Sequence, residues 1–153
     1  MAVDMKQTSR RLIEEAFGKG NLEVYEELCS EDFRAHDPLT GDADRLQEKE
    51  ICRMYRKAFP DLKPAILASY AAGDVCVQHW RMTGTHQGEL LGLAPMGARC
   101  TVEGITVDRF KGGRIVESWT QWDALGLMRQ LGVAQPLGAG AVKAEAERRT
   151  HQA

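Results

Sequence analysis

The chain has 153 residues, 43% of them hydrophobic and 27% charged, with a formal net charge of −2. That describes one domain with a full core and excludes the basic footprint of a nucleic-acid or anionic-membrane binder. No apolar run reaches membrane-span length and the N-terminus lacks a signal core, so a cytoplasmic chain is expected.

Residues 4–17 read as a helix, with Met5, Leu12, Ile13, Ala16 and Phe17 on one side and Gly18 and Gly20 as stops. Asn21 is a candidate N-cap for a second short helix whose stripe is Leu22, Tyr25 and Leu28. Phe33 to His36 reads as a short extended piece, ended by Asp37-Pro38. A third helix is predicted from Asp44, with Gln47 three residues on completing a capping box. Its apolar positions are Ile51, Met54, Tyr55 and Ala58, and Phe59-Pro60-Asp61 ends it.

The period then changes from helix to strand. Leu62–Ala71 and Val75–Thr85 flank a hairpin turn at Ala72-Gly73-Asp74. Gly84–Gly97 is a glycine-rich loop. Cys100–Phe110 is another strand, and Lys111-Gly112-Gly113 turns it into a last strand running to Asp123. A short helix, Ala124–Leu131, closes a single domain over residues 1–133. Residues 134–153 read as a tail, frayed or partly helical.

Helices first and strands after imply an α+β fold, with the N-terminal helices packed on one face of an antiparallel or mixed sheet. Strands this long must twist and curl. A curled sheet with helices across its concave side is a cone.

The last strand carries the main chemical signal. Side chains alternate along a strand, so Glu117, Trp119, Gln121 and Asp123 share a face with Ile115. Facing inward they would line a pocket; facing outward they would be a solvated strip. Asp123 also directly precedes a helix, where Asp is a favoured N-cap. The four cysteines, Cys29, Cys52, Cys76 and Cys100, have no metal or redox spacing and read as buried thiols. No metal site is expected, and no glycine-rich phosphate loop is present.

Several segments resemble the SnoaL-like polyketide cyclases, also called ester cyclases, of the nuclear-transport-factor-2-like superfamily. They are Phe33-Arg-Ala-His-Asp-Pro38, Ala58-Phe-Pro-Asp-Leu62, Gly73-Asp-Val75, Gly84-Thr-His-Gln-Gly-Glu89, Gly113-Arg-Ile-Val-Glu-Ser-Trp119 and Asp123-Ala-Leu-Gly-Leu127 leading to Gln130-Leu-Gly132. Pro95-Met96-Gly97 and Val77-Gln78-His79-Trp80 depart from the family's usual Pro-Thr-Gly and Val-x-Arg-Trp. The resemblance implies a cone with a deep apolar cavity, usually in a homodimer or higher oligomer. It also implies cofactor-free acid–base chemistry on a small hydrophobic, polyketide-like substrate, with an aspartate at the end of the last strand moving the proton. Asp123 falls on that position.

Candidate proton carriers are therefore Asp123, His86 at the mouth of the glycine-rich loop, and His36 before Asp37-Pro38. Candidate substrate contacts are His79, Arg109, Trp119, Gln121, Met54, Tyr55, Phe59 and Trp80; Arg109 and Glu117 could equally be a cross-strand ion pair. Three functions stay open: an aldol-type cyclase; an epoxide hydrolase, dehydratase or isomerase in the same cone; or a non-catalytic ligand-binding or dimerisation module.

Overall fold

The computed structural model describes residues 3–134 and 146–151. Most of the expected tail lies outside the described residues; 146–150 within it are helical. Helix α1 (Met5–Ile13) is capped by Asp4, whose side chain accepts from the Gln7 N–H. It runs on into a wider π-helical stretch, Glu14–Lys19, that ends at Gly20 in the left-handed region. Helix α2 (Val24–Leu28) starts at Glu23 without a side-chain cap, so Asn21 is not its N-cap.

Strand β1 (Cys29–Asp37) is much longer than the short piece expected, and β2 (Gly41–Asp44) was not foreseen. Helix α3 (Arg45–Ala58) follows with the anticipated capping box: Gln47 N–H donates to Asp44 and Asp44 N–H donates to the Gln47 side chain. Then come β3 (Lys63–Ala72), β4 (Val75–Thr85), β5 (Arg99–Lys111), β6 (Arg114–Trp122) and α4 (Ala124–Gln130).

These strands form one six-stranded sheet in the order β2-β1-β6-β5-β4-β3. β3 to β6 pair as antiparallel neighbours, as their turns require. The surprise is β1, which lies parallel to β6, pairing Ala35 with Ser118 and His36 with Trp119. A parallel neighbour so distant in sequence leaves no hairpin signal to read.

The core lies on the concave side. One cluster joins α1, α2, β1 and the closed end of the sheet through Leu12, Val24, Tyr25, Phe33, Phe110 and Ile115. A second sits under α4 through Ala58, Phe59, Leu90, Cys100, Leu127 and Leu131. All four cysteines are buried and unpaired.

Strict alternation fails once in β6, and that failure sets the face of every later residue. Arg109 pairs with Glu117, but Phe110 pairs with Ile115, so Val116 is an extra residue in β6. Such a bulge shifts the alternation by one. Ile115 is fully buried, and beyond the bulge Ser118 is buried while Glu117 and Trp119 turn to the other face. The expected grouping of Ile115 with Glu117, Trp119, Gln121 and Asp123 is thus corrected: the inward set is Ser118, Thr120 and Trp122.

Gly104 on β5 leaves room for its cross-strand neighbours Trp80 and Trp122. A Cβ there would stand 2.4 Å from Trp80 Cζ2 and 2.6 Å from Trp122 Cβ. Gly104→Ala is expected to destabilise the fold by about 1–3 kcal/mol through overpacking. Urea denaturation checks it; an unchanged midpoint would contradict the packing described.

Candidate active site

Between the curled sheet and the helices lies a cavity of about 140 Å³. The helices supply Leu12 and Ile13 from the end of α1, Phe17 from the π-helical stretch, Tyr25 from α2, and Glu48, Ile51 and Tyr55 from α3. Glu48, Ile51 and Tyr55 recur at helical spacing, which puts them on one face of α3. The sheet supplies Phe33, Ala35 and Asp37 from β1, Trp80 and Met82 from β4, Thr106 and Asp108 from β5, and Ser118, Thr120 and Trp122 from β6.

Three carboxyl groups reach this mostly apolar hollow, and each is held differently. Asp37 closes the turn after β1. Its Oδ1 accepts from the N–H groups of Leu39 and Thr40 at 2.8 and 3.0 Å, and its Oδ2 accepts from Trp122 Nε1 at 2.9 Å. Three hydrogen bonds hold its carboxyl in one position.

Glu48 has no such set. Burial pushes its carboxyl up to about 7; the charge of Asp37 adds to the rise, and a hydrogen bond from Tyr25 opposes it. Asp108 is buried and accepts from the Ser118 hydroxyl. Burial pushes it up to about 6, against the hydroxyls of Ser118 and Ser9.

Tyr25 is raised well above the usual phenol range, first by burial and then by the charge of Glu48. Tyr55 is raised by burial too, and its hydroxyl is buried with no partner. Its ring stands edge-on to Trp122, centroids 6.2 Å apart.

The expected site residues divide between the two sides of the sheet. Tyr55, Phe59 and Trp80 line the cavity. Met54 is half-buried against the second core cluster and is not in the lining. His79, Arg109, Trp119 and Gln121 lie on the outer face. His79 is 3.7 Å from Glu103, Arg109 donates to Glu117 at 3.0 Å, and Trp119 is 39% exposed.

Asp123 is exposed and caps α4, accepting from Gly126 N–H at 2.8 Å. It belongs to a shallow outer depression with His79, Glu103 and Gln121, not to the cavity. The sequence placed it inward because the alternation was carried straight through Val116. Asp123→Ala is expected to cost about 1 kcal/mol of stability as a lost cap and to leave turnover unchanged. A thermal melt and a rate assay together check this.

His36 and His86 stand differently toward the hollow. His36 borders it, but Asp42 at 2.8 Å and Glu117 at 2.7 Å hold its ring, which stacks on Trp119. Those two carboxylates, Asp42 first, raise its pKa. His86 is fully buried with neither ring nitrogen hydrogen-bonded. It packs on Phe59, centroids 5.6 Å apart, behind the cavity lining.

The three carboxyls in the hollow, Asp37, Glu48 and Asp108, were not among the expected site residues. Two had a readable signal. Asp108 is in phase with Cys100, Val102 and Phe110 along β5. Glu48 is in phase with Ile51 and Tyr55 along α3. A charged residue on an apolar stripe marks a carboxyl carried inside.

A helix-covered, curled six-stranded sheet with an apolar, carboxyl-bearing hollow defines the nuclear-transport-factor-2-like class of cone. Within it, the model of the SnoaL-like polyketide cyclase family matches residues 7–131, and the chain belongs to that family. The proposed SnoaL-like polyketide cyclase of Jannaschia sp. CCS1 is 26% identical with a TM-score of 0.76, over 85% of this chain and 92% of that one. IdmH, a proposed polyketide cyclase of Streptomyces antibioticus, is 30% identical with a TM-score of 0.71, over 83% and 99%. AclR, a proposed hydroxylase of Streptomyces galilaeus, shares the fold at 23% identity and a TM-score of 0.79, over 97% and 96%. A search of curated proteins finds no match.

Proposed function

We propose that this protein is an acid–base enzyme of the cyclase or isomerase type, acting on a small carbonyl compound of polyketide-like character. The observation that carries the reading is Glu48: a carboxyl in the cavity lining, pushed up to about 7, beside the anchored Asp37. A general base works best when its pKa lies near the operating pH. Glu48 can then exchange the proton while Asp37, held by its hydrogen bonds, stays fixed beside it.

In the step proposed, the Glu48 carboxylate takes a proton from a carbon flanked by carbonyls. The resulting enolate carbon attacks a second carbonyl carbon of the same molecule, forming one C–C bond. The π electron pair of that carbonyl moves to its oxygen, and the alkoxide recovers the proton from Glu48. Nothing is oxidised or reduced, and the product is an isomer of the substrate. The cavity contributes by holding the folded chain in reach of one group and excluding water.

The test is solvent-deuterium exchange into a 1,3-dicarbonyl probe, with the uncatalysed rate subtracted. Enzyme-dependent exchange that rises through an apparent pKa near 7 is the expected result. A separate epoxide probe converted to a diol carrying labelled solvent oxygen would point instead to hydrolysis. No exchange above the uncatalysed rate across the pH range would favour a binding module.

A further inference from the structure

The sheet wall of the cavity holds two hydroxyls with one hydrogen more than they use between them. Thr106 and Thr120 face each other in register across β5 and β6, and both line the cavity. Their Oγ1 atoms are 3.0 Å apart. Trp80 Nε1 donates to Thr106 Oγ1 at 2.9 Å. An indole N–H can only donate, so the direction of that bond is fixed.

The pair has two hydroxyl hydrogens, and the bond between them uses one. Among the hydrogen bonds of the described residues, neither hydroxyl donates anywhere else. One O–H therefore remains to be given to whatever fills the cavity. From the helix wall, the buried Tyr55 hydroxyl is likewise unpartnered. The hollow offers donors from both sides and asks for an acceptor.

Size narrows the class further. About 140 Å³ is close to the roughly 150 Å³ engineered cavity that takes one benzene ring. The carboxyls of Glu48 and Asp37 oppose a second negative charge in the same low-dielectric space. We propose that the cavity selects a neutral, single-ring-sized carbonyl compound, with its oxygen hydrogen-bonded to the Thr106–Thr120 pair. The inference rests on the acid–base reading only for what happens after binding.

The experiment is a titration of the full chain, followed by calorimetry and tryptophan fluorescence, with three probes. Thr106→Val with Thr120→Val is expected to weaken cyclohexanone binding about 10-fold, the worth of one hydrogen bond, and to leave methylcyclohexane, which has no oxygen to accept it, unchanged. Anthrone, a tricyclic ketone, is expected to bind the wild type more weakly than cyclohexanone. Thr120→Ser, which keeps the hydroxyl, should bind cyclohexanone as the wild type does.

Unchanged cyclohexanone binding in the folded double variant would overturn the proposal. So would tighter binding of anthrone than of cyclohexanone to the wild type. The anthrone comparison decides even if the double variant does not fold. Glu48→Gln separates the two readings. Retained cyclohexanone binding with lost deuterium exchange supports both; retained binding with unchanged exchange supports this proposal and sinks Glu48 as the base.

Discussion

Glu48→Gln is expected to lower turnover by about 10²–10⁴-fold, the usual worth of a positioned general acid–base group. The amide matches the carboxyl in shape and keeps a hydrogen-bonding partner for Tyr25, so the fold should survive. It cannot take a proton from carbon. Asp123→Asn is the matched control, because Asp123 caps α4 on the outside of the sheet. The comparison is sharp: the family resemblance points to Asp123, and the cavity points to Glu48. If Asp123→Asn loses activity and Glu48→Gln does not, the outer depression is where the chemistry happens.

Acid should stabilise this protein over a range where many proteins are indifferent. Glu48 and Asp108 are both raised by burial, from 4.5 to about 7 and from 3.8 to about 6. A raised carboxyl favours the folded state when protonated. Its contribution is complete below the unfolded pKa, near 4, and is lost as pH climbs through the folded value. Each group is then worth about 2–3 kcal/mol between pH 4 and pH 8, at about 1.4 kcal/mol per unit of pKa.

His36 works in the same direction, since Asp42 and Glu117 raise it. Glu26, Asp61 and Glu117 are lowered by their partners and act in the opposite sense, but these are surface groups that salt screens. Urea unfolding should therefore give a higher free energy at pH 5 than at pH 8. The double variant Glu48→Gln with Asp108→Asn should flatten the difference. A wild-type midpoint that rises from pH 5 to pH 8 would mean these carboxyls are not desolvated.

The sheet hairpins were legible because each is local. Glycine turns at residues 73 and 112–113 join strands whose pairing follows from sequence distance alone. The α3 boundary was legible because Asp44 and Gln47 satisfy the first-turn donors by themselves. The parallel docking of β1 on β6 was not, since neither strand carries a mark of the other. The interior set of β6 failed for a different reason. A period-2 pattern has no memory of a bulge, so one extra residue at Val116 exchanged the two faces. Of the expected contact residues, Tyr55, Phe59 and Trp80 are on the cavity wall. Its acids came from Asp37, Glu48 and Asp108 instead, which only the assembled sheet brings to one space.

The placement of β1 beside β6 also bears on how the chain reaches this shape. His36 must find Trp119, a neighbour more than eighty positions downstream. During synthesis the first strand has no lateral partner except the short β2 until almost the entire cone has left the ribosome. Contacts this far apart slow folding, because a long loop must close before they form. The hollow is therefore among the last features to exist, and an interrupted nascent chain would expose the greasy inner wall it was meant to hide.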